Sequence, residues 1–170
     1  MEYLDKIYHQ HRERLFNYLM RMTGDYDLAR DIVQESYARC LKRYGEKIDS
    51  ASLLYCIARN LVVDDLRKRS RSEPFEERQA VDPASLHHHI MVREEYREVM
   101  GALQDLCFED RELLSLVAVE SLRYSEIAEV LNTSVGSVKV RVHRARKRLR
   151  SALADREKGH ERAFNQSVYR

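Results

Sequence analysis

The densest chemistry in this chain lies near its C-terminal end. Lys139, Arg141, His143, Arg144, Arg146, Lys147, Arg148 and Arg150 crowd one short stretch. Between them Val138, Val142, Ala145 and Leu149 recur at i, i+4, i+7 and i+11, the spacing of one apolar helix face. A helix built this way seats one stripe on its neighbours and turns its cations outward, where nucleic-acid phosphate is the natural counter-charge. A partner helix precedes it, with Ile127, Ala128 and Leu131 inward and a small residue at the crossing. Asn132 suits the left-handed conformation that ends a helix, and Thr133 and Ser134 suit the cap of the next. Helix, turn and cationic helix together predict a helix-turn-helix. Lys139, Val140, His143 and Arg144 fall near the start of the second helix, where side chains reach base edges in a major groove. Arg146, Lys147, Arg148 and Arg150 lie further along and suit backbone phosphates. Gly136 and Arg141 belong to the same surface, and Ser134 and Ser137, with the free amides of the helix start, suit one more phosphate.

The rest of the composition is compatible with that chemistry and excludes others. The net charge of +2 hides an asymmetry: residues 1–70 carry 13 basic and 11 acidic side chains, residues 71–135 carry 6 and 14, and residues 136–170 carry 11 and 3. Cys40, Cys56 and Cys107 are odd in number and far apart, so reduced, structural thiols are expected. No Cys-x-x-Cys pair or Gly-rich phosphate loop is present, so the chain reads as no enzyme and no cofactor is expected. His87, His88 and His89 are adjacent, but neighbouring helical positions do not face one site, and no metal is expected. No apolar run approaches the roughly 20 residues of a membrane span. The charged start, Met1 to Lys6, lacks an apolar signal core, and a cytoplasmic location is expected.

These residues must be positioned by helices. With 5 Gly and 2 Pro in 170 residues, an all-β design with many tight turns is disfavoured, and the expected class is all-α. Residues 3–22 carry apolar positions at three- and four-residue steps, and Gly24 breaks that helix. A second runs from Asp27 to about Tyr44 with Leu28, Ile32, Val33, Tyr37 and Leu41 on one stripe. A polar loop follows, then a third helix from about Leu53 to Arg69. Both prolines, Pro74 and Pro83, fall in a polar stretch read as a flexible linker. Short helices resume at about Arg93, then after Glu109 and Asp110, then over about 125–131, and last over about 136–153. The expected organisation is an N-terminal bundle over 1–70, a linker over 71–92, a helix-turn-helix domain over 93–158, and a frayed tail over 159–170.

Two further segments carry a resemblance. Tyr124, Glu126, Ile127, Ala128, Leu131, Gly136, Ser137, Val138, Arg141, Arg144, Arg146 and Leu149 stand in a pattern similar to the C-terminal region of the extracytoplasmic-function sigma factors, compact bacterial initiation factors. Response regulators carry comparable helix pairs, so the N-terminal half decides between them. Asp27, Ala29, Asp31, Ile32, Val33, Gln34, Glu35 and Tyr37 resemble that family's most recognisable segment, and Ile57, Ala58, Arg59, Asn60, Asp64 and Arg67 the segment after it. Order and spacing match over about residues 3–153.

The resemblance implies roles. Asp31, Gln34 and Glu35 would dock on the clamp helices of the largest subunit of core RNA polymerase; at i, i+3 and i+4 they share one helix face. The loop containing Ile48, Asp49 and Ser50 would capture a flipped base of the −10 element of promoter DNA, and Asn60 would help hold the strands apart. Arg67, Lys68 and Arg69 would follow the backbone nearby. Arg59 fits either that role or a salt bridge within the bundle. The C-terminal helix would read the −35 element. An anti-sigma factor is an expected partner, and sequestration at the membrane by it is compatible with the cytoplasmic reading. The chain departs from the family where Ser50 and Leu53 stand in place of aromatics, leaving Tyr55 as the nearby aromatic. It also departs at Leu106-Cys107, and at Ser121 and Arg123. The alternative is a stand-alone helix-turn-helix regulator whose N-terminal bundle serves dimerisation or sensing.

Overall fold

A computed structural model describes residues 2–45, 50–72 and 94–168, with side chains described over 9–45, 50–69 and 96–159. Seven helices fill those residues: α1 (Glu2–Thr23), α2 (Tyr26–Tyr44), α3 (Ala51–Ser72), α4 (Glu94–Gln104), α5 (Phe108–Val117), α6 (Tyr124–Val130) and α7 (Val135–Val168). The all-α expectation holds, as two helical units: α1–α3, and α4–α7 with the helix-turn-helix in α6 and α7. The linker stretch lies almost wholly outside the described residues, with Pro74, Pro83 and His87, His88 and His89; only its first two positions are seen, as the end of α3.

The helix boundaries follow local chemistry. Gly24 at φ 67 ends α1, and the Asp25 carboxylate accepts from the amide of Leu28 at 3.0 Å, capping α2. Because Asp25 is the cap, α2 starts one residue before Asp27. Gly45, at φ 56, donates its amide to the Leu41 carbonyl at 3.0 Å and closes α2. The α3 start moves ahead of Leu53 because the Ser50 hydroxyl accepts from the Ser52 amide at 3.2 Å. The α6 start also moves ahead of Ser125. There Glu126 reaches back, its carboxylate accepting from the Arg123 amide at 2.7 Å, so a poor cap side chain is offset from three residues downstream. The last correction is the largest. Helix α7 continues past Leu153 to Val168 instead of fraying; the stretch beyond 153 holds no proline and many good helix formers.

Leu15, Tyr18, Leu19 and Met22 of α1 pack with Ile32 and Val33 of α2 and with Leu54, Tyr55, Ala58 and Val62 of α3. Tyr18 and Tyr55 are fully buried and meet edge to face, their centroids 5.6 Å apart. The same cluster runs on without a gap into Leu113, Leu116, Val119, Ile127 and Val138 of the C-terminal unit. A smaller cluster of Leu103, Leu106, Leu114 and Ala145 ties α4 and α5 to α7. The three cysteines are free thiols. Burial pushes the Cys40 thiol up to about 11, which keeps it protonated and inert.

Candidate nucleic-acid interface

The helix-turn-helix is built as its sequence requires. Asn132 adopts φ 48, the left-handed turn between the two helices. Ser134 caps α7, its hydroxyl accepting from the Ser137 amide at 3.2 Å. Val138, Val142 and Ala145 are buried and Leu149 is half-buried, so the apolar stripe faces inward. Ala128, also buried, permits the close crossing. Ser134, Gly136, Lys139, Val140, His143, Arg144, Arg146 and Lys147 are all exposed, and Ser137 and Arg141 are half-exposed. Val140 is 52% exposed, unusual for an aliphatic residue and suited to a thymine methyl. Arg148 departs from its expected role: its guanidinium donates to the buried carboxylate of Asp110 on α5, so it braces the domain.

On the N-terminal unit, Asp31, Gln34 and Glu35 are exposed side by side on α2 while Ile32, Val33, Ser36 and Tyr37 are buried behind them. Glu35 accepts from the Arg39 guanidinium at 2.6 Å, and Asp31 lies 3.6 Å from that of Arg30. Both pairs are exposed and worth about 0–1 kcal/mol, cheap for an incoming cationic partner to replace. Asn60 is exposed on α3. Of the basic run, Arg67 lies 3.7 Å from Asp64, and Arg69 lies 2.7 Å from Asp65 and 3.7 Å from Asp25. Lys68 is exposed beside them. Ser50 is half-buried at the head of α3, while Ile48 and Asp49 lie outside the described residues.

Tyr55 and Arg59 of α3 both have partners inside the fold. Tyr55 is fully buried between Tyr18 and His11 and cannot stack on a base. Arg59 pairs outside its bundle, with Glu112 of α5, its Nε donating to the carboxylate at 2.6 Å. The structure adds residues that the sequence reading passed over. Arg39, Lys42, Arg43, Ile57 and Asn60 line an open cavity of about 420 Å³ between α2 and α3. Three cations and an amide around an apolar floor can hold a base and its phosphate. Their signal was the i, i+3 and i+4 spacing of Arg39, Lys42 and Arg43, which puts them on one edge of α2.

The Sigma-70 region 2 family matches residues 7–72, and the Sigma-70, region 4 family matches residues 96–149. The ECF RNA polymerase sigma factor EcfG of Rhodopseudomonas palustris is 30% identical over 139 residues, covering 80% of this chain and 77% of that protein. The chain belongs to the ECF sigma factors. SigM of Bacillus subtilis is 27% identical over 158 residues, covering 87% of this sigma factor and 93% of SigM. SigE of Mycolicibacterium smegmatis is 29% identical over 160 residues, and the chain spans 61% of that longer relative. Among solved structures, the sigma factor RpoE in complex with the anti-sigma factor NepR from Bartonella quintana superposes with a TM-score of 0.66 at 26% identity, covering 82% of this chain and 89% of that one. For this ECF sigma factor the two surfaces described, on α2–α3 and on α7, fall one within each matched segment.

Proposed function

We propose that this sigma factor binds core RNA polymerase and directs it to promoters carrying −10 and −35 elements, with no catalytic step of its own. The observation that carries this is the coexistence, in one chain, of the exposed Asp31–Gln34–Glu35 face on α2 and the exposed cationic face of α7. A lone DNA-binding regulator needs only the second. In this reading the N-terminal unit, over 1–70, docks on the clamp helices of the polymerase largest subunit through Asp31, Gln34 and Glu35. Its Ile48, Asp49, Ser50, Asn60, Arg67, Lys68 and Arg69 engage the −10 element, joined by Arg39, Lys42 and Arg43 around the cavity. The C-terminal unit, over 93–158, reads the −35 element through Lys139, Val140, Arg141, His143 and Arg144. Its backbone contacts come from Ser134, Gly136, Ser137, Arg146 and Lys147. Extruding a base costs a few kcal/mol, and a basic groove is one means of offsetting that.

An anti-sigma factor completes the reading, since the similar RpoE structure was solved with one bound. No helix among the described residues is long and apolar enough to cross a membrane, and we place the chain in the cytoplasm, where polymerase is. The deciding experiment adds purified chain to core polymerase and a library of promoter fragments and sequences the transcripts. New start sites sharing two spaced motifs are expected. Tight binding to duplex DNA without any initiation on such a library would instead favour the stand-alone regulator.

A further inference from the structure

Helix α7 runs past the segment shared with the family. The region 4 match ends at residue 149, and the helix continues to Val168. Its first turns beyond the match lie against α4. Ala152, Leu153, Ala154 and Arg156 are half-buried, while Ser151, Asp155, Glu157 and Lys158 are exposed. The Arg156 Nε donates at 2.8 Å to the carboxylate of Asp105, the residue that follows α4. A Cβ at Gly101 of α4 would lie 2.6 Å from the guanidinium carbon of Arg156 and 2.7 Å from both terminal nitrogens. Three atoms at nearly one distance place the guanidinium plane flat on the bare backbone of α4. Gly101 and Asp105 stand at i and i+4, one turn apart on that face.

A glycine inside a helix is a poor choice for the helix itself, second only to proline, and a lone one marks something packed against it. At Gly101 that is the guanidinium. The Asp105 carboxylate and the last carbonyls of α4 both put negative charge at that helix end, and Arg156 answers them together. An exposed ion pair is weak alone; here the flat seat gives it one geometry. Arg148 supplies a second hold, on the buried Asp110 of α5. Ala145 and Leu149 pack near it on Leu103, Leu106 and Leu114.

Arg156 lies eight residues beyond Arg148, about 12 Å along a helix. Val140 lies eight residues before it, the same distance the other way. A stiff helix held near Arg148 and again at Arg156 has a fixed direction; held near Arg148 alone, it can pivot. A shift at the far end then reaches Val140, His143 and Arg144 at about equal size and in the opposite sense. Hydrogen bonds to base edges work over only about 2.7–3.2 Å, so a shift of about 1 Å breaks their geometry. We propose that Arg156, seated on Gly101 and paired with Asp105, is a positioning residue for −35 reading. It sets the angle at which the first turns of α7 enter the groove, and it acts from outside the matched segment that does the reading. This rests on the −35 reading above.

The test uses the full chain with core polymerase and a promoter library randomised over the −35 element. The natural chain must initiate and must discriminate among −35 sequences; failure there overturns the −35 reading itself, and the role of Arg156 falls with it. Arg156→Ala and Gly101→Ala are each expected to reduce that discrimination at least threefold. The salt slope of DNA binding should stay unchanged, since neither variant removes a phosphate contact. Gly101→Ala is the sharper variant, because it keeps both charges, favours the helix and displaces only the tip of a flexible side chain. Its unfolding midpoint should equal or exceed that of the natural chain while its reading is impaired. In an Arg156→Ala background the same substitution should cost no further discrimination, and additive losses overturn the proposal. An unaltered preference profile in either single variant also overturns it. So does a loss uniform across sequences with the salt slope lowered by about 1, which makes Arg156 a phosphate contact. A loss that merely tracks the unfolding midpoint overturns it too, leaving Arg156 a stabilising pair and nothing more.

Discussion

At the scale of single residues, the cationic face of α7 divides by position. Arg144 lies in the third turn of the helix, exposed, where a guanidinium can pair with a guanine edge. Arg144→Ala is expected to cost roughly 1–3 kcal/mol and to relax base preference at one position of the −35 element. Lys147→Ala should weaken all sequences alike and lower the salt slope by about 1. A promoter-library titration at two salt concentrations separates them, and identical profiles for both variants would remove the division. Arg148 is a third case. It is committed to Asp110, so Arg148→Ala should lower the unfolding midpoint while changing DNA affinity less than Lys147→Ala does; the reverse ordering would return it to the phosphate contacts. The exposed set was legible in the sequence because one apolar stripe fixes which side chains a helix turns outward. Arg148 was not, because its partner lies 38 residues away on α5, and periodicity carries no information about distant carboxylates. Arg59 was misplaced for the same reason.

At the scale of elements, most of the helices could be read from apolar spacing, and their ends could be read where the capping group is local. Asp25, Gly45, Asn132 and Ser134 all act within four residues of the boundary they set. The α6 start was harder, because Glu126 caps from inside the helix. The α7 end was missed because a polar, charged extension shows little amphipathic pattern even when its helix propensity is high. The turn of the helix-turn-helix supplies the test. A residue without left-handed tolerance at position 132 should cost about 1–2 kcal/mol. Asn132→Val is therefore expected to lower stability by that amount and to weaken −35 binding by tilting α7 on α6, whereas Asn132→Gly should be well tolerated. Chemical denaturation of both variants checks this; equal stability would mean that the turn relaxes out of the left-handed region at no cost.

At the scale of the whole molecule, the sequence divided the chain into two units but gave no sign that they close on one another, since a seam between units looks like core to each. His11 sits at that junction. It is buried on α1, its ring edge-on to Tyr55 of α3 at 6.4 Å, with Glu126 of α6 an opposing charge and Arg14 of its own helix a like one. Burial, then Arg14, lower its pKa below the ordinary 6.5, and Glu126 opposes them only in part. In the unfolded chain the imidazole takes its proton near 6.5. In the folded chain it resists until the pH is lower. Stability from this group is therefore complete above pH 6.5 and is lost as the pH falls through the folded value. Glu112 works in the opposite sense, because a raised carboxyl takes up its proton in the folded state first, and it does so equally in any His11 variant. His11→Phe keeps a ring against Tyr55 and removes the titration. Urea midpoints at pH 7.5 and 5.5 should then fall further for the natural chain than for His11→Phe, and equal losses in the two chains would show that His11 is not the group through which acid loosens the junction.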